Sequence, residues 1–343
     1  MTDVVFQQAA HEDADFVGFL EELGFRRIVL GKRRQRFGKK LALFSQVAAS
    51  TIRLLSSRAV PKEMGTVVVL GHFAFAVKLL ARLHLLKYER LFCSGFYVRS
   101  PRWFPFFRIL RRIDTPRDHY LIFSRSELQL YTDQLGMDSG RLHYIPCGDW
   151  HSEETGKREA EDKARTQFPT DYYFSGGYSN RDYGSLVRVF RKVKAPLVIV
   201  CSKLNTEMND LSLPPNVRVV RDVSSGVFDG YISHAKAGIV PLKRDTGSSG
   251  QTVVLRLMRY GKPIVVNDVA ALRDYVEPGV SALVVRDLGS ELAEAIQEIE
   301  AHPDAASRVG LAAKVRYEGS FSRAVVAERF RKILEETASS TAL

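Results

Sequence analysis

At 343 residues, with 45% hydrophobic and 26% charged side chains, the chain is long enough for two domain-sized cores and too apolar for disorder on a large scale. Its three cysteines, Cys93, Cys147 and Cys201, fit neither a metal-ligand spacing nor a disulfide framework, which points to a reducing compartment. The net charge of +11 is concentrated in the first half, where Glu63 and Glu89 are the only acids between Phe25 and Arg112, so that half attracts polyanions, either nucleic acid or anionic lipid.

In chain order, short β-branched runs alternate with amphipathic stretches, the pattern of parallel sheets covered by helices. The residues before position 16 are polar and acidic, unlike a secretory leader. Strands are predicted at 4–6, 27–30, 66–70, 90–93, 120–123 and 142–145, giving one Rossmann-like lobe over residues 1–150. Residues 151–170, with the charged stretch SEETGKREAEDKARTQ followed by Pro169, read as a linker. A second lobe over 171–343 has strands at 172–175, 197–201, 217–220, 238–241, 264–266 and 282–285, with helices at 250–260, 288–301 and 322–336. No run reaches the roughly 18 apolar residues of a membrane-spanning helix. The expectation is a cytoplasmic α/β protein that meets a membrane only peripherally, at its inner face.

The most informative stretch is AGIVPLKRDTGSSGQTVVLRLMRYGKP, from Ala237. A buried strand ends at Pro241, a polar loop carries Lys243, and the small-residue turn through Ser248, Ser249, Gly250, Gln251 and Thr252 opens a helix. Unpaired N–H groups at a helix start favour an anion, and glycine lets the backbone approach it. Ser249 is the expected cap, and Gly261 the expected helix end. Arg256, one turn further on, is a candidate for contact with the same ligand or else a solvated helix residue.

From these residues the sequence resembles the group 1 glycosyltransferases, retaining enzymes of the GT-B fold, in which two Rossmann-like, doubly wound lobes face a central cleft. LRLMRYGKPIVV and AALRDYVEPGVSALVV stand where that family has "E-A-M-A-x-G-K-P-V-V" and "G-x-x-E-x-V-x-D-G-x-N-G". DHYLIFSRSE and RLHYIPCGD are similar to two of its N-lobe strands, and FSGGYSNRDYGSLVRVF to the loop that supplies cations to the donor diphosphate. The resemblance implies a nucleoside-diphosphate sugar as donor, with no cofactor expected beyond it, and donor contacts from Gly176, Gly177 and Asn180 as well as the residues above. The family's arginine after the first glycine is Gly177 here and its lysine is displaced, and Arg181 is the nearest candidate to take over the phosphate role. It also marks departures: the family's two glutamates, eight positions apart, are Ser248 and Arg256 here, and arginine cannot accept the hydrogen bonds a ribose offers. YISHAKAGIVPL, from Tyr231, is also similar to inverting GT-B glucuronosyltransferases of polysaccharide assembly, so an inverting course stays open.

An inverting reaction needs a base for the acceptor hydroxyl. His11 and Asp13, after the first predicted strand, are candidates, although Asp13 also fits a helix cap and His11 a solvated side chain. His72, after the strand at 66–70, can contact the transferred sugar or serve the fold. Asp13 and Asp15 have the spacing of a metal-binding pair but stand at a predicted helix start, so no metal is implied. The segment PRWFPFFRILRRI interleaves Trp103, Phe104, Phe106 and Phe107 with Arg102, Arg108, Arg111 and Arg112, as an interfacial helix does; a core helix with exposed arginines is the other reading. The function expected from all this is transfer of a sugar to a lipid-linked or membrane-proximal glycan, in envelope or exopolysaccharide assembly. A non-catalytic GT-B scaffold that binds a polyanion is the alternative, and without a nucleic-acid motif a nucleic-acid partner is not expected.

Overall fold

A computed structural model describes residues 1–7, 14–30, 42–71, 73–95, 104–148, 150, 167–243 and 249–341. The chain forms two compact units, one of residues 1–145, 150–152 and 327–343 and the other of residues 146–149 and 153–326.

In the first unit, β1 (Val4–Gln7), β2 (Arg26–Val29), β3 (Glu63–Leu70), β4 (Lys87–Ser94), β5 (Asp118–Ile122) and β6 (Leu142–Tyr144) make one parallel sheet in the order β2-β1-β3-β4-β5-β6. The strand order reverses between β1 and β3, which is where open α/β sheets leave a crevice. His11 and Asp13 follow β1 in sequence and His72 follows β3; all three lie outside the described residues. Covering helices are α1 (Ala14–Glu22), α2 (Ala42–Ser56), α3 (Phe73–Arg82), α4 (Phe104–Leu110) and α5 (Arg125–Leu135). Local chemistry sets the limits of α5, because Ser124 accepts from the Glu127 amide at its start and Gly136, at φ 60°, ends it in the left-handed region.

One expectation is corrected here. Phe107, read as facing a membrane, is buried against Phe75 in the core of this unit, at 6.2 Å between ring centroids. Phe104 also packs on that core, while Arg108 and Arg111 donate to the Gln134 and Leu135 carbonyls at the end of α5. Arg112 is exposed, and Arg102, Trp103 and the Phe106 side chain lie outside the described residues.

In the second unit, β7 (Tyr173–Gly176), β8 (Leu197–Cys201), β9 (Val217–Arg221), β10 (Ala237–Val240), β11 (Ile264–Asn267) and β12 (Leu283–Val285) form a second parallel sheet in the order β12-β11-β10-β7-β8-β9. Its switch point lies between β7 and β10. The helices are α6 (Tyr183–Lys192), α7 (Ser225–His234), α8 (Gln251–Arg259), α9 (Ser290–Ala301), α10 (Pro303–Ser320) and α11 (Arg323–Thr341). Apolar clusters cover both faces of the sheet, one holding Leu257 of α8 and Ala313 of α10, the other Leu186 of α6 and Ile296 of α9. The proposed linker, residues 151–170, falls mostly outside the described residues.

From Ala327 onward α11 belongs to the first unit. Phe330 packs on Phe25 and Phe92, and Arg90 reaches the Leu334 carbonyl, Thr337 at 3.2 Å and Thr66 at 2.9 Å. On the same side of the sheet His119 Nδ1 and His143 Nε2 lie 3.0 Å apart, and the His119 ring stacks on Phe92. Burial, reinforced by His143, Arg141 and Arg90, pushes His119 down to about 4; burial also lowers His143, opposed by Glu336. Between about pH 6.5 and 4 the unfolded chain therefore binds more protons than the fold. Stability contributed by the neutral pair is complete above that window and lost as pH falls through it. Thermal unfolding should shift downward over that range, and His119→Phe should flatten the slope relative to wild type; parallel curves would remove the histidine from the account.

Candidate functional site

The loops after β7 and β10 meet at the switch point of the second sheet. Backbone pairing joins Arg181 to Leu242; Asp182 N donates to Pro241 O at 2.9 Å and Lys243 N to Asn180 O at 3.2 Å. The Asn180 side chain reaches Lys243 O, and Ser249 Oγ donates to Ser179 O at 3.3 Å. From the end of β11, Asn267 closes both backbone groups of Leu242, accepting from its N and donating to its O at 2.8 Å each. Asn267 was not legible as a site residue; an amide at a strand's C-terminal end is the only signal it leaves. The result is a rigid floor made of three strand ends.

At that floor stands Arg181, a guanidinium only 3% exposed. Its Nε donates to Gly176 O at 2.8 Å and Nη1 to Ser179 O at 2.5 Å. Among the described residues no carboxylate pairs with it, and burial lowers its pKa. A buried cation without a counter-charge carries a large desolvation penalty, which an anionic ligand relieves. Gly177 is required beside it: φ is 108°, and a Cβ there would stand 2.5 Å from Arg181 Nη2. Tyr183, another residue the sequence did not single out, ties the Gly177 carbonyl down through its hydroxyl at 2.5 Å.

Opposite the turn, α8 begins at Gly250, which takes φ 90° and supplies no side-chain cap. This corrects the expectation of a Ser249 cap, since the Ser249 hydroxyl is directed to Ser179. The first-turn amides of Gln251 and Thr252 have no acceptor in their own helix, as at any helix start. Thr252 is exposed, and Gln251 is buried with its amide on Ala271 O at 3.3 Å. Lys243 is exposed at the rim, and Ser248 lies outside the described residues. As expected, Gly261 ends α8: it takes φ 62°, with Gly261 N on Met258 O and Lys262 N on Leu257 O.

Arg256 is engaged on α7. Its Nη1 meets Asp229 Oδ1 at 3.3 Å and Nη2 donates to Ser225 Oγ at 2.7 Å, while the guanidinium stands over the Phe228 ring. Asp229, 2% exposed, also accepts from Arg259, so α7 and α8 are joined by a buried carboxylate between two arginines. Arg256→Met should lower the melting temperature by a few degrees, corresponding to about 1–2 kcal/mol, and change nucleotide affinity by less than about threefold. A large affinity loss at unchanged stability, measured by calorimetry and thermal melts, would restore Arg256 to the ligand.

Comparison with known proteins gives a domain and a fold. Residues 171–302 match the family model described as "Glycosyl transferases group 1", so a glycosyltransferase-family domain occupies much of the second unit. No curated protein matches the sequence. Sucrose-phosphate synthase from Thermosynechococcus elongatus superposes with a TM-score of 0.75 at 15% identity, covering 99% of this chain and 96% of that one. An α,α-trehalose-phosphate synthase (UDP-forming) from Burkholderia vietnamiensis gives 0.70 at 12% identity, covering 100% and 99%. HepE of Anabaena, solved in complex with UDP and glucose, gives 0.67 at 12% identity, covering 98% and 99%. At these identities the likeness is one of fold, and the fold is GT-B.

Proposed function

We propose that the protein is a glycosyltransferase that takes a sugar from a nucleoside-diphosphate sugar and passes it to a lipid-linked or membrane-proximal glycan. The observation that carries the donor half of this reading is Arg181, buried without a carboxylate partner among the described residues and set where the loops after β7 and β10 meet. When the bond from the anomeric carbon to the diphosphate breaks, negative charge grows on the leaving oxygens. Arg181, the start of α8 and Lys243 supply fixed positive potential for that charge, and it needs no metal beyond them. Gly176, Gly177, Asn180, Ser249, Gly250, Gln251 and Thr252 shape the turn around it.

Family resemblance favours a retaining course. The replacement of the two glutamates by Ser248 and Arg256 leaves room for an inverting one, with His11 or Asp13 as base and His72 against the transferred sugar. Product anomeric configuration by NMR separates the two courses. The acceptor half rests on the nearly acid-free basic block from Phe25 to Arg112, which suits work at the inner face of a membrane. HepE is described in complex with UDP-glucose, so UDP and UDP-glucose are the first probes for the donor site. A rise in melting temperature with either supports the donor reading, and no shift with any UDP, GDP or ADP sugar sinks it. Phosphosugars belong in the acceptor panel, because two fold neighbours are named as synthases of sugar phosphates.

A further inference from the structure

The first unit exposes an apolar cluster that its own fold does not use. Ile52 and Leu55 on α2, Leu79 on α3, and Leu83 and Leu85 in the turn after it are between 36% and 66% exposed. Helices α2 and α3 pack on each other and connect β2 to β3 and β3 to β4, so both run antiparallel to the sheet on one face and their last turns lie side by side. The five aliphatic side chains thus gather at one end of the helical layer. His84, at φ 56°, turns the chain there between Leu83 and Leu85. Single exposed leucines are ordinary on a protein surface, whereas a cluster of this kind marks a contact.

The same end carries Arg58, Lys62 and Arg82, all exposed and none in an ion pair among the described residues, while Glu63 is paired with Lys87 at 2.8 Å. A two-fold contact with a second copy would set these cations against their own equivalents. An anionic bilayer complements them. We propose that this end of the first unit docks on an anionic lipid surface, with Ile52, Leu55, Leu83 and Leu85 at the acyl boundary and Arg58, Lys62 and Arg82 on headgroup phosphates. It names the membrane partner of the acceptor reading above and places it on α2 and α3 in place of α4. Because helix ends lie beside strand starts, docking here leaves the loops at the strand ends uncovered. The donor site plays no part, so the two readings fail separately.

The test is co-sedimentation of the full chain with phosphatidylcholine vesicles, with and without phosphatidylglycerol. Wild type should bind only the anionic vesicles. Leu83→Ser with Leu85→Ser should weaken binding about tenfold. Arg58→Glu with Arg82→Glu should weaken it by at least about twentyfold, since each cation near the surface contributes roughly fivefold. All four side chains are exposed, so melting temperatures should match wild type and exclude misfolding. Undiminished binding by both variants overturns the proposal. So does wild type that ignores anionic vesicles, or a dimer in gel filtration that the leucine variant dissolves. Absent vesicle binding with an intact UDP shift overturns the docking alone, and the reverse pattern overturns the donor site alone.

Discussion

Arg181→Ala should weaken UDP and UDP-glucose binding by about 10- to 100-fold, the effect of losing a charge-assisted contact of roughly 1.5–3 kcal/mol. The ligand-free protein should respond very differently. Removing the side chain frees the Gly176 and Ser179 carbonyls, which destabilises, but it also removes a cation that burial disfavours, which stabilises. These effects oppose, so the apo melting temperature should move by no more than a few degrees while the nucleotide-induced rise disappears. A residue that only stitched the loop would show the reverse. Arg181→Lys should retain part of the affinity, keeping the charge and losing the planar fork that reaches two carbonyls at once. Nucleotide affinity equal to wild type in the alanine variant would move the diphosphate away from this turn.

The strands were legible because each sheet is buried on both faces, which turns segments such as VVVL and LVIVC into continuous apolar runs. The phosphate-type turn was legible for a local reason too, since glycines and small polar residues between a strand and a helix leave few other conformations. Helix α10 was missed. Its buried positions are Ala306, Gly310, Ala313 and Tyr317, small side chains that produce almost no hydrophobic periodicity, although Pro303 marks its first turn. What escaped at the site is long-range. Asp229 meets Arg256 only because α7 and α8 are neighbours in space, and Asn267 meets Leu242 only across a strand pair. For α4 the interleaved aromatics and arginines fit a membrane face and a core helix equally, and the contact that decides, Phe107 on Phe75, joins two separate crossovers. The return of α11 to the first sheet leaves no mark in composition, because Phe330 would suit either core.

The largest stability effect should come from Asp114. Lys78, 1% exposed, places its ammonium 2.8 Å from Asp114 Oδ1 and 2.7 Å from the Tyr120 hydroxyl, and that hydroxyl donates to Asp114 Oδ2 at 2.7 Å. Burial works against the ammonium, but the negative charges of Asp118 and Asp114 oppose it, with the Tyr120 hydroxyl accepting a hydrogen bond, and the lysine pKa lies above its ordinary value. The partners are not equivalent. Asp114 also has Arg141 at 3.8 Å and Arg111 at 3.9 Å, whereas Lys78 pairs with no second carboxylate among the described residues. Asp114→Ala should therefore cost about 3–5 kcal/mol and lower the melting transition of the first unit by roughly 10 °C, since it strands a buried ammonium. Lys78→Met should cost less, about 1–2 kcal/mol, because the arginines and Tyr120 still satisfy the carboxylate. The double variant Lys78→Met with Asp114→Leu should recover most of the loss, as apolar replacements of buried pairs commonly do. Trp150, packed on Phe16 and Phe19 at 4.9 and 4.8 Å between ring centroids, reports on this unit by fluorescence once Trp103 is replaced by phenylalanine. If Asp114→Ala proves no worse than Lys78→Met, the ammonium has found another partner or has lost its proton, and the asymmetry argued from the arginines is wrong.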